Sequence, residues 1–477
     1  MNGAETSLAA AALAHELKRR GGRNLIDREF AGLVPDEDVR EDAGEHAAHL
    51  DAHGIRHERK PIPFEPLPYV ITTSAYARIG DRFRRLFQIL ERVIDLYLAE
   101  PAVRDFFRLA PRHDGLIRMD ASYRPRIQYC RYDFTLDSGG TPRIYELNTH
   151  SPAAATFSPH FARLLGRSRT LDRLRAAGLR PVPTALEEPG AFARAVLASA
   201  RRAGALDRGT NVAVLNSRYL TMTTELDHIA AQFREQGCTT VRCFVEDLGF
   251  DGRRLHYGGL PVHLVYNKYD DSRGPGAFEC AFSRTTAEVR PYLDAYRAGV
   301  VFSVNSLPSM YLPEQKSTLA FLWSPLFHEY AGREDLELVR EIIPRTRLVR
   351  HLDSGELDEA AAHRERYVLK RSLDTRGRSL LIGRSTAEDR WLAALGTARA
   401  EPPGDDYVLQ DLAAAEQSVT RDAKPVHTSL ACFLFAGEPA GLIVRTSAEE
   451  TTNVGRQGFM QPPLLVEEPP WTRSSTT

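Results

Sequence analysis

A chain of 477 residues, 43% hydrophobic and 26% charged, is too long for one compact core and too apolar for wholesale disorder; length alone suggests about two to four structural units. Its 62 basic and 63 acidic residues leave a net charge of -1, which excludes a global field that would hold nucleic acid or an acidic membrane, so any polyanion site must be local. The five cysteines are Cys130, Cys238, Cys243, Cys280 and Cys432. An odd count without a CxxC pair argues against a disulfide framework or a zinc–thiolate centre and favours a reducing cytoplasm.

Taken in chain order, the N-terminal "SLAAAALAHELKRR" has its basic residues after the apolar run, the wrong order for a signal peptide, and reads as a short helix. No run of about 18 apolar residues follows anywhere, so no membrane span is expected. "HAAHLDAHGIRH" sets His46, His49, His53 and His57 near one helix face, as metal ligands would be; Gly54 and the surrounding charges make a solvated helix end the preferred reading. "PIPFEPLPYV" (61–70) reads as a packed connector. Residues 81–100 repeat Phe83, Leu86, Phe87, Leu90, Val93, Ile94 and Tyr97 at helical spacing, with Asp81 as expected N-cap.

"RYDFTLDSGGTPRIYELN" then gives two alternating segments around a glycine pair, a hairpin signal. A two-residue turn at Gly139–Gly140 pairs Asp133 with Glu146 and Arg131 with Asn148 on one face, and Tyr132 with Leu147 and Phe134 with Tyr145 on the other. Opposed carboxylates repel. They are relieved either by solvent on an ordinary polar face or by a hard divalent cation with oxygen ligands. Register decides the matter, because a slip of one residue separates the faces.

Residues 205–310 alternate short Val-rich runs (211–216, 239–245, 260–268, 299–305) with helix-like pieces such as 225–237, the pattern of a small parallel α/β sheet. No GxGxxG follows its first strand, so a dinucleotide site is not indicated. "NKYDDSR" offers Lys268, Asp270 and Arg273 as substrate-side candidates at a strand end. Residues 315–477 mix helices with strands; "RYVLKRS" (366–372) and "DYVLQDL" (406–412) each deliver polar residues after an apolar run, "EPPGDD" is a loop, and the tail is loose.

Five stretches together resemble the circularly permuted ATP-grasp ligases, the group of glutathionylspermidine-synthetase-like carboxylate–amine ligases: "RYD…ELN", "VNSLPSMYLPEQKSTLAFLW", "YVLKRSLDTRGRSLLIGRS", "YVLQDL" and "GLIVRTSAEETTNVG". The resemblance spans roughly residues 60–465 and depends on order as much as on motif, since the metal-binding E-x-N precedes the nucleotide lysines. It implies an α/β (α+β) fold in three parts: residues 1–200 with helices and the metal-binding hairpin, 201–310 as a parallel pre-ATP unit, and 311–477 with the ATP-binding lysines and hinge. It further implies Asp133, Glu146 and Asn148 as Mg²⁺ ligands. Lys316, Lys370 and Arg445 would lie at the phosphates, and Gln410, Asp411 and Leu412 at the base and sugar. Arg131 would lie at the reacting carboxylate, with Arg131 and Arg445 as the catalytic pair, and Asn453 matches a later asparagine.

The chain departs from the pattern in its phosphate loop, which has only Gly377 and Gly383 and carries Arg376 and Arg378, and in Asp411, where a glutamate is usual. The expected activity is ATP-dependent, ADP-forming ligation of a small-molecule carboxylic acid to an amine, in the cytoplasm, with neither nucleic acid nor membrane as partner. The glycine-poor loop keeps open a nucleotide-binding regulatory or inactive protein without ligase activity, and a phosphotransferase is a third option. No covalent nucleophile is needed, so no cysteine requires a catalytic role.

Overall fold

The computed structural model describes residues 34–57, 60–216, 224–268, 286–374, 379–402, 404–413, 416–419, 425–450, 452 and 458–468. The expected N-terminal helix, the extreme tail, Cys280, Asp270, Arg273, Arg376, Gly377, Arg378 and Asn453 lie outside these. The helices that frame the site are α1 (Asp36–Ala52), α2 (Thr73–Ala99), α3 (Ser158–Arg167), α4 (Thr224–Glu235), α5 (Lys316–Leu322) and α6 (Glu388–Ala400). The strands are β1 (Tyr69–Thr72), β2 (Tyr129–Leu136), β3 (Pro142–Asn148), β4 (Val212–Asn216), β5 (Thr240–Phe244), β6 (Leu264–Asn267), β7 (Phe302–Val304) and β8 (Thr346–Leu348). They continue as β9 (Tyr367–Arg371), β10 (Leu381–Ile382), β11 (Tyr407–Asp411), β12 (Glu416–Val419), β13 (Pro425–Phe435), β14 (Glu438–Ser447), β15 (Phe459–Gln461) and β16 (Pro463–Val466).

The architecture is mixed α/β with several sheets. An antiparallel sheet runs β15-β14-β13-β2-β3, with β12 paired to β13; a parallel sheet runs β7-β6-β4-β5; a second antiparallel sheet runs β8-β11-β9-β10. The central sheet joins a hairpin from the first third of the chain to strands from its last third, and β1 pairs in parallel with β16. The first and third expected regions thus share one sheet. The parallel unit forms from the Val-rich runs as their composition suggests, with both faces covered. Among the described residues no helix is long and apolar enough to cross a membrane.

Helix α2 carries the expected apolar stripe, and all seven stripe residues are buried. Its start differs from expectation: the helix begins eight residues earlier, capped by Thr72, whose hydroxyl accepts from the Ala75 N–H, so Asp81 lies inside the helix. Phe83 of α2 meets Tyr132 and Phe134 edge-on, with ring centroids 5.4 and 5.1 Å apart. That contact buries the apolar face of the hairpin and turns its polar face the other way. Helix α1 ends at Ala52 with His53 at its cap, and His57 lies beyond it in a short strand pair, not on the helix.

One side chain joins the parallel unit to the hairpin. Asn305, fully buried just after β7, accepts from the N–H groups of Gln128 (2.9 Å) and Tyr129 (2.8 Å), and its amide donates to the carbonyls of Tyr129 and Thr149, the latter at 2.5 Å. It thereby fixes the start of β2 and the residue after β3 together. Replacing it leaves several buried backbone groups unpaired, each costing about 1–3 kcal/mol. Asn305→Ala should lower the unfolding free energy in urea by about 2–4 kcal/mol, even though the residue removed is small. An unchanged urea midpoint would show that water or backbone shifts replace the clamp at no cost.

Candidate functional site

The hairpin reaches its expected register by an unexpected route. The turn is not two residues but a five-residue loop, Asp137–Thr141, in which the Asp137 carboxylate accepts from the N–H groups of Gly139 and Thr141 and Gly140 takes φ 87°. That loop alone would put Asp133 one residue out of register with Glu146. A bulge between Asp133 and Phe134 restores it, so that Asp133 faces Glu146 and Arg131 faces Asn148 while Phe134 pairs with Ile144, not Tyr145. Tyr145 is the extra residue. Bulges re-aim side chains, and here the Tyr145 hydroxyl bonds Ser429 of β13 while its ring lies 5.3 Å below the Lys370 ammonium. Tyr145 thus joins the polar face instead of the apolar one.

Asp133 is 1% exposed and sits between two guanidinium groups. Arg131 donates to it through Nε (2.7 Å) and Nη2 (3.0 Å), and Arg445 of β14 through Nη2 (2.7 Å). Burial alone would push the carboxyl up; the two guanidinium charges outweigh it and hold the group below the usual carboxylate range. The expected role of Asp133 as a cation ligand meets a plain obstacle, since both its oxygens are already taken by arginine. Glu146 and Asn148 are better placed. Glu146 is partly exposed and paired with Lys316 at 3.0 Å, while the Asn148 amide donates weakly to the Arg131 carbonyl (3.5 Å) and its amide oxygen accepts no hydrogen bond from the described residues. One carboxylate and one amide oxygen on neighbouring positions of a face fit Mg²⁺, which keeps most of its shell as water and substrate phosphate.

The cations converge on this face from the other side. Lys316, at the start of α5, reaches Glu146 and the Asp374 carbonyl, each at 3.0 Å. Burial tends to discharge it, and Glu146 more than compensates, raising its pKa. Lys370 of β9 is 5% exposed; its ammonium donates to the Tyr145 carbonyl (3.1 Å) and to the Gln410 side-chain oxygen (2.7 Å) and makes no ion pair among the described residues. Burial pulls it down to about 8, with Lys316 adding to the effect and the Glu146 and Asp133 charges opposing it. Arg445 keeps its buried Nε without a partner. These charges gather where two β-sheets meet, and an unneutralised buried ammonium beside an unpaired guanidinium nitrogen is a place prepared for an anion.

The three hinge candidates separate. Gln410 faces the cluster, its amide donating to Thr346 Oγ1 at 2.9 Å. The alternation of β11 puts Asp411 on the opposite sheet face, opposite Tyr367. The N–H of Asp411 donates to Arg345 and that of Leu412 to Arg366, both at 2.8 Å, so neither backbone donor is free for a base edge. Asp411 and Leu412 instead line a shallow hollow of about 300 Å³ with Glu365, Arg366 and Arg384. Arg384 pairs with Glu450 from the end of β14, bridging the two sheets at this rim.

Sequence reading missed Glu314. It accepts from the N–H groups of Thr149 (2.5 Å) and His150 (2.8 Å), directly after Asn148, and burial raises it to about 7 despite those bonds and Lys316. Its only local signal is its position two residues before Lys316. Lys268 donates to the Ser151 carbonyl at 2.6 Å, in the loop that follows β3. Burial raises the pKa of all four described thiols. No protein-family model matches the chain, and no curated protein matches it.

The Asp133 pairs generate a stability prediction. A depressed carboxylate pKa contributes stability that is complete above the ordinary carboxylate range and is lost as pH falls through the folded-state value. Asp133→Ala leaves two buried guanidinium groups without their counter-charge and should cost about 3–5 kcal/mol near neutral pH. Its acid limb should also be shallower than the parent's. Equal urea midpoints at neutral pH would mean that solvent already neutralises the arginines.

Proposed function

We propose that this chain is an ATP-dependent, ADP-forming carboxylate–amine ligase with a circularly permuted ATP-grasp fold. The observation that carries the reading is the meeting of Lys316, Lys370 and Arg445, drawn from three segments, over the Glu146–Asn148 face of a hairpin that precedes them in the chain. A triphosphate needs this combination: fixed cations for its charge and oxygen ligands for its metal. Mg²⁺ would be held by Glu146 and Asn148 and would supply charge neutralisation to the phosphates.

The chain's own groups do the remaining work. Lys370 and Lys316 exchange their internal acceptors for phosphate oxygens, which restores full charge to Lys370. Arg131, fixed by Asp133, offers its guanidinium to the acid substrate and to the negative charge that builds when the amine attacks the acylphosphate. Asp133 is an orienting counter-ion in this scheme and not a metal ligand. Glu314, titrating near neutrality, is the group suited to accept the proton of the incoming amine. Of the three hinge candidates Gln410, whose side chain faces the cluster, is the one placed to meet the base or sugar. The same cation cluster supports simple nucleotide binding without ligation, so products must decide.

With Mg-ATP and pools of carboxylic acids and amines, the protein should release ADP and phosphate only when both an acid and an amine are present, together with a new amide seen by mass spectrometry. AMP and pyrophosphate would contradict the assignment, and binding without turnover on any pool would favour a regulatory protein.

Lys370 makes the reading pH-dependent. Its folded pKa lies below that of a free lysine, so the empty site prefers it neutral above about 8, whereas an anion needs it charged. Mg-ATP affinity should therefore fall as pH rises through about 8, by up to about tenfold per unit. Lys370→Arg should flatten the profile, because arginine stays charged, and Lys370→Ala should lose about 2–4 kcal/mol of transition-state stabilisation. A flat parent profile with normal kinetics in a folded Lys370→Ala would remove this lysine from the site.

A further inference from the structure

We propose that His49, His53 and His160 form a binding site for one nitrogen-preferring divalent transition metal, best met by Zn²⁺, which clasps α1 to α3. The three side chains offer one ligand atom each, all within 4.8 Å of one another. Two come from α1, one turn apart, and the third comes from the facing helix near the start of α3. The site stands apart from the cation cluster and does not depend on the ligase reading.

The closest pair of ring nitrogens has the spacing of two ligands on one metal. His49 Nε2 and His160 Nδ1 are 3.3 Å apart. Two nitrogens bound to zinc at 2.0–2.1 Å and the tetrahedral angle lie about 3.3–3.4 Å apart, so this pair already spans one edge of the coordination polyhedron. His53 Nδ1 is 2.9 Å from the His49 carbonyl. Donation there fixes the tautomer and leaves Nε2 as the free lone pair, the arrangement by which backbone carbonyls orient metal-bound imidazoles. His228 of α4 adds a further support: its Nε2 meets the His53 carbonyl at 3.0 Å, its ring stacks on His160 with centroids 5.5 Å apart, and its buried Nδ1 has no partner.

The electrostatics select the kind of ion. Burial and the neighbouring histidines lower the pKa of both His49 and His160, the latter to about 4, and Arg163 and Arg167 on α3 add to the effect on His49. Among the described residues the group of ligand atoms contains no carboxylate. The charge contributed by Arg163 and Arg167 beside His49 is positive. A hard, oxygen-seeking cation such as Mg²⁺ or Ca²⁺ is poorly matched to three imidazole nitrogens. Zn²⁺, Co²⁺ or Ni²⁺, bound through nitrogen, gains covalent character that offsets the repulsion from the two arginines. Three protein ligands on a partly exposed rim leave the fourth position to water.

Metal-stripped full-length protein should be titrated with Zn²⁺ by calorimetry and with Co²⁺ by visible absorption. The expected result is one site absent from His49→Ala/His160→Ala, with intense tetrahedral Co²⁺ bands in the parent and a Zn²⁺-dependent rise in melting temperature that the double variant lacks. His53→Ala, on the exposed rim, should keep the fold and weaken Zn²⁺ at least about tenfold. An excess of Mg²⁺ should not compete. Weak octahedral Co²⁺ bands in the parent, which need no variant to measure, would overturn the proposal, as would a change of less than about twofold in Zn²⁺ affinity for folded His53→Ala.

Discussion

The structure around the site depends on one buried charge. Asp133 lies in the middle of the central sheet with almost no solvent, and it is tolerable there only because Arg131 and Arg445 bracket it. Each arginine comes from a different strand, β2 and β14, and the two strands are joined only through β13. The Arg445–Asp133 pair therefore binds the first third of the chain to its last. The ion pairs also fix the hairpin register, because a slip of one residue would turn Asp133 into the apolar contacts of Phe83. With Asp133 committed to the arginines, the opposite residue Glu146 is left with Lys316 and the open side of the cleft. The repulsion expected between facing carboxylates is answered by cations on both sides, so each carboxylate has its own counter-ion.

Much of this was legible in the sequence, and for a physical reason. Alternation along "RYDF" and "IYELN" reports which face each side chain takes, and it put Arg131, Asp133, Glu146 and Asn148 together. The Val-rich runs report burial on both faces and gave the parallel sheet. What alternation does not report is a bulge, because an extra residue looks like a longer strand; Tyr145 was assigned to the wrong face for that reason, and two departures, the long loop and the bulge, cancelled at the carboxylates. Asp81 was taken as a cap because it precedes the apolar stripe, yet Thr72 caps a helix whose first turns carry smaller residues. His160 and Glu314 are more instructive. Each is an isolated residue whose importance comes only from what folding brings beside it: His49 in one case, the backbone N–H groups after Asn148 in the other.

The cations of the cleft form a graded set. Lys316 has a carboxylate, Arg445 has Asp133, and Lys370 has only neutral acceptors. The sheet that carries Lys370 and the sheet that carries Tyr145 touch through that ammonium and through the Arg384–Glu450 pair at the rim. Both contacts use groups that an anion could displace without breaking either sheet, since backbone pairing holds the strands on either side of these groups. A ligand with several negative charges would therefore cross-link two sheets that otherwise meet through few polar contacts. The glycine-poor segment after Lys370 begins at Asp374, whose carboxylate accepts from the Ser379 N–H at 2.8 Å and so draws the ends of that loop together.

Hydrogen–deuterium exchange with and without Mg-ATP reads whether one polyanion cross-links the two sheets. The account predicts that nucleotide slows exchange at once in three separated segments: β2–β3 with the residues after Asn148, the start of α5, and β9 with β11. Protection confined to one sheet, or found only away from Lys316, Lys370 and Tyr145, would contradict it.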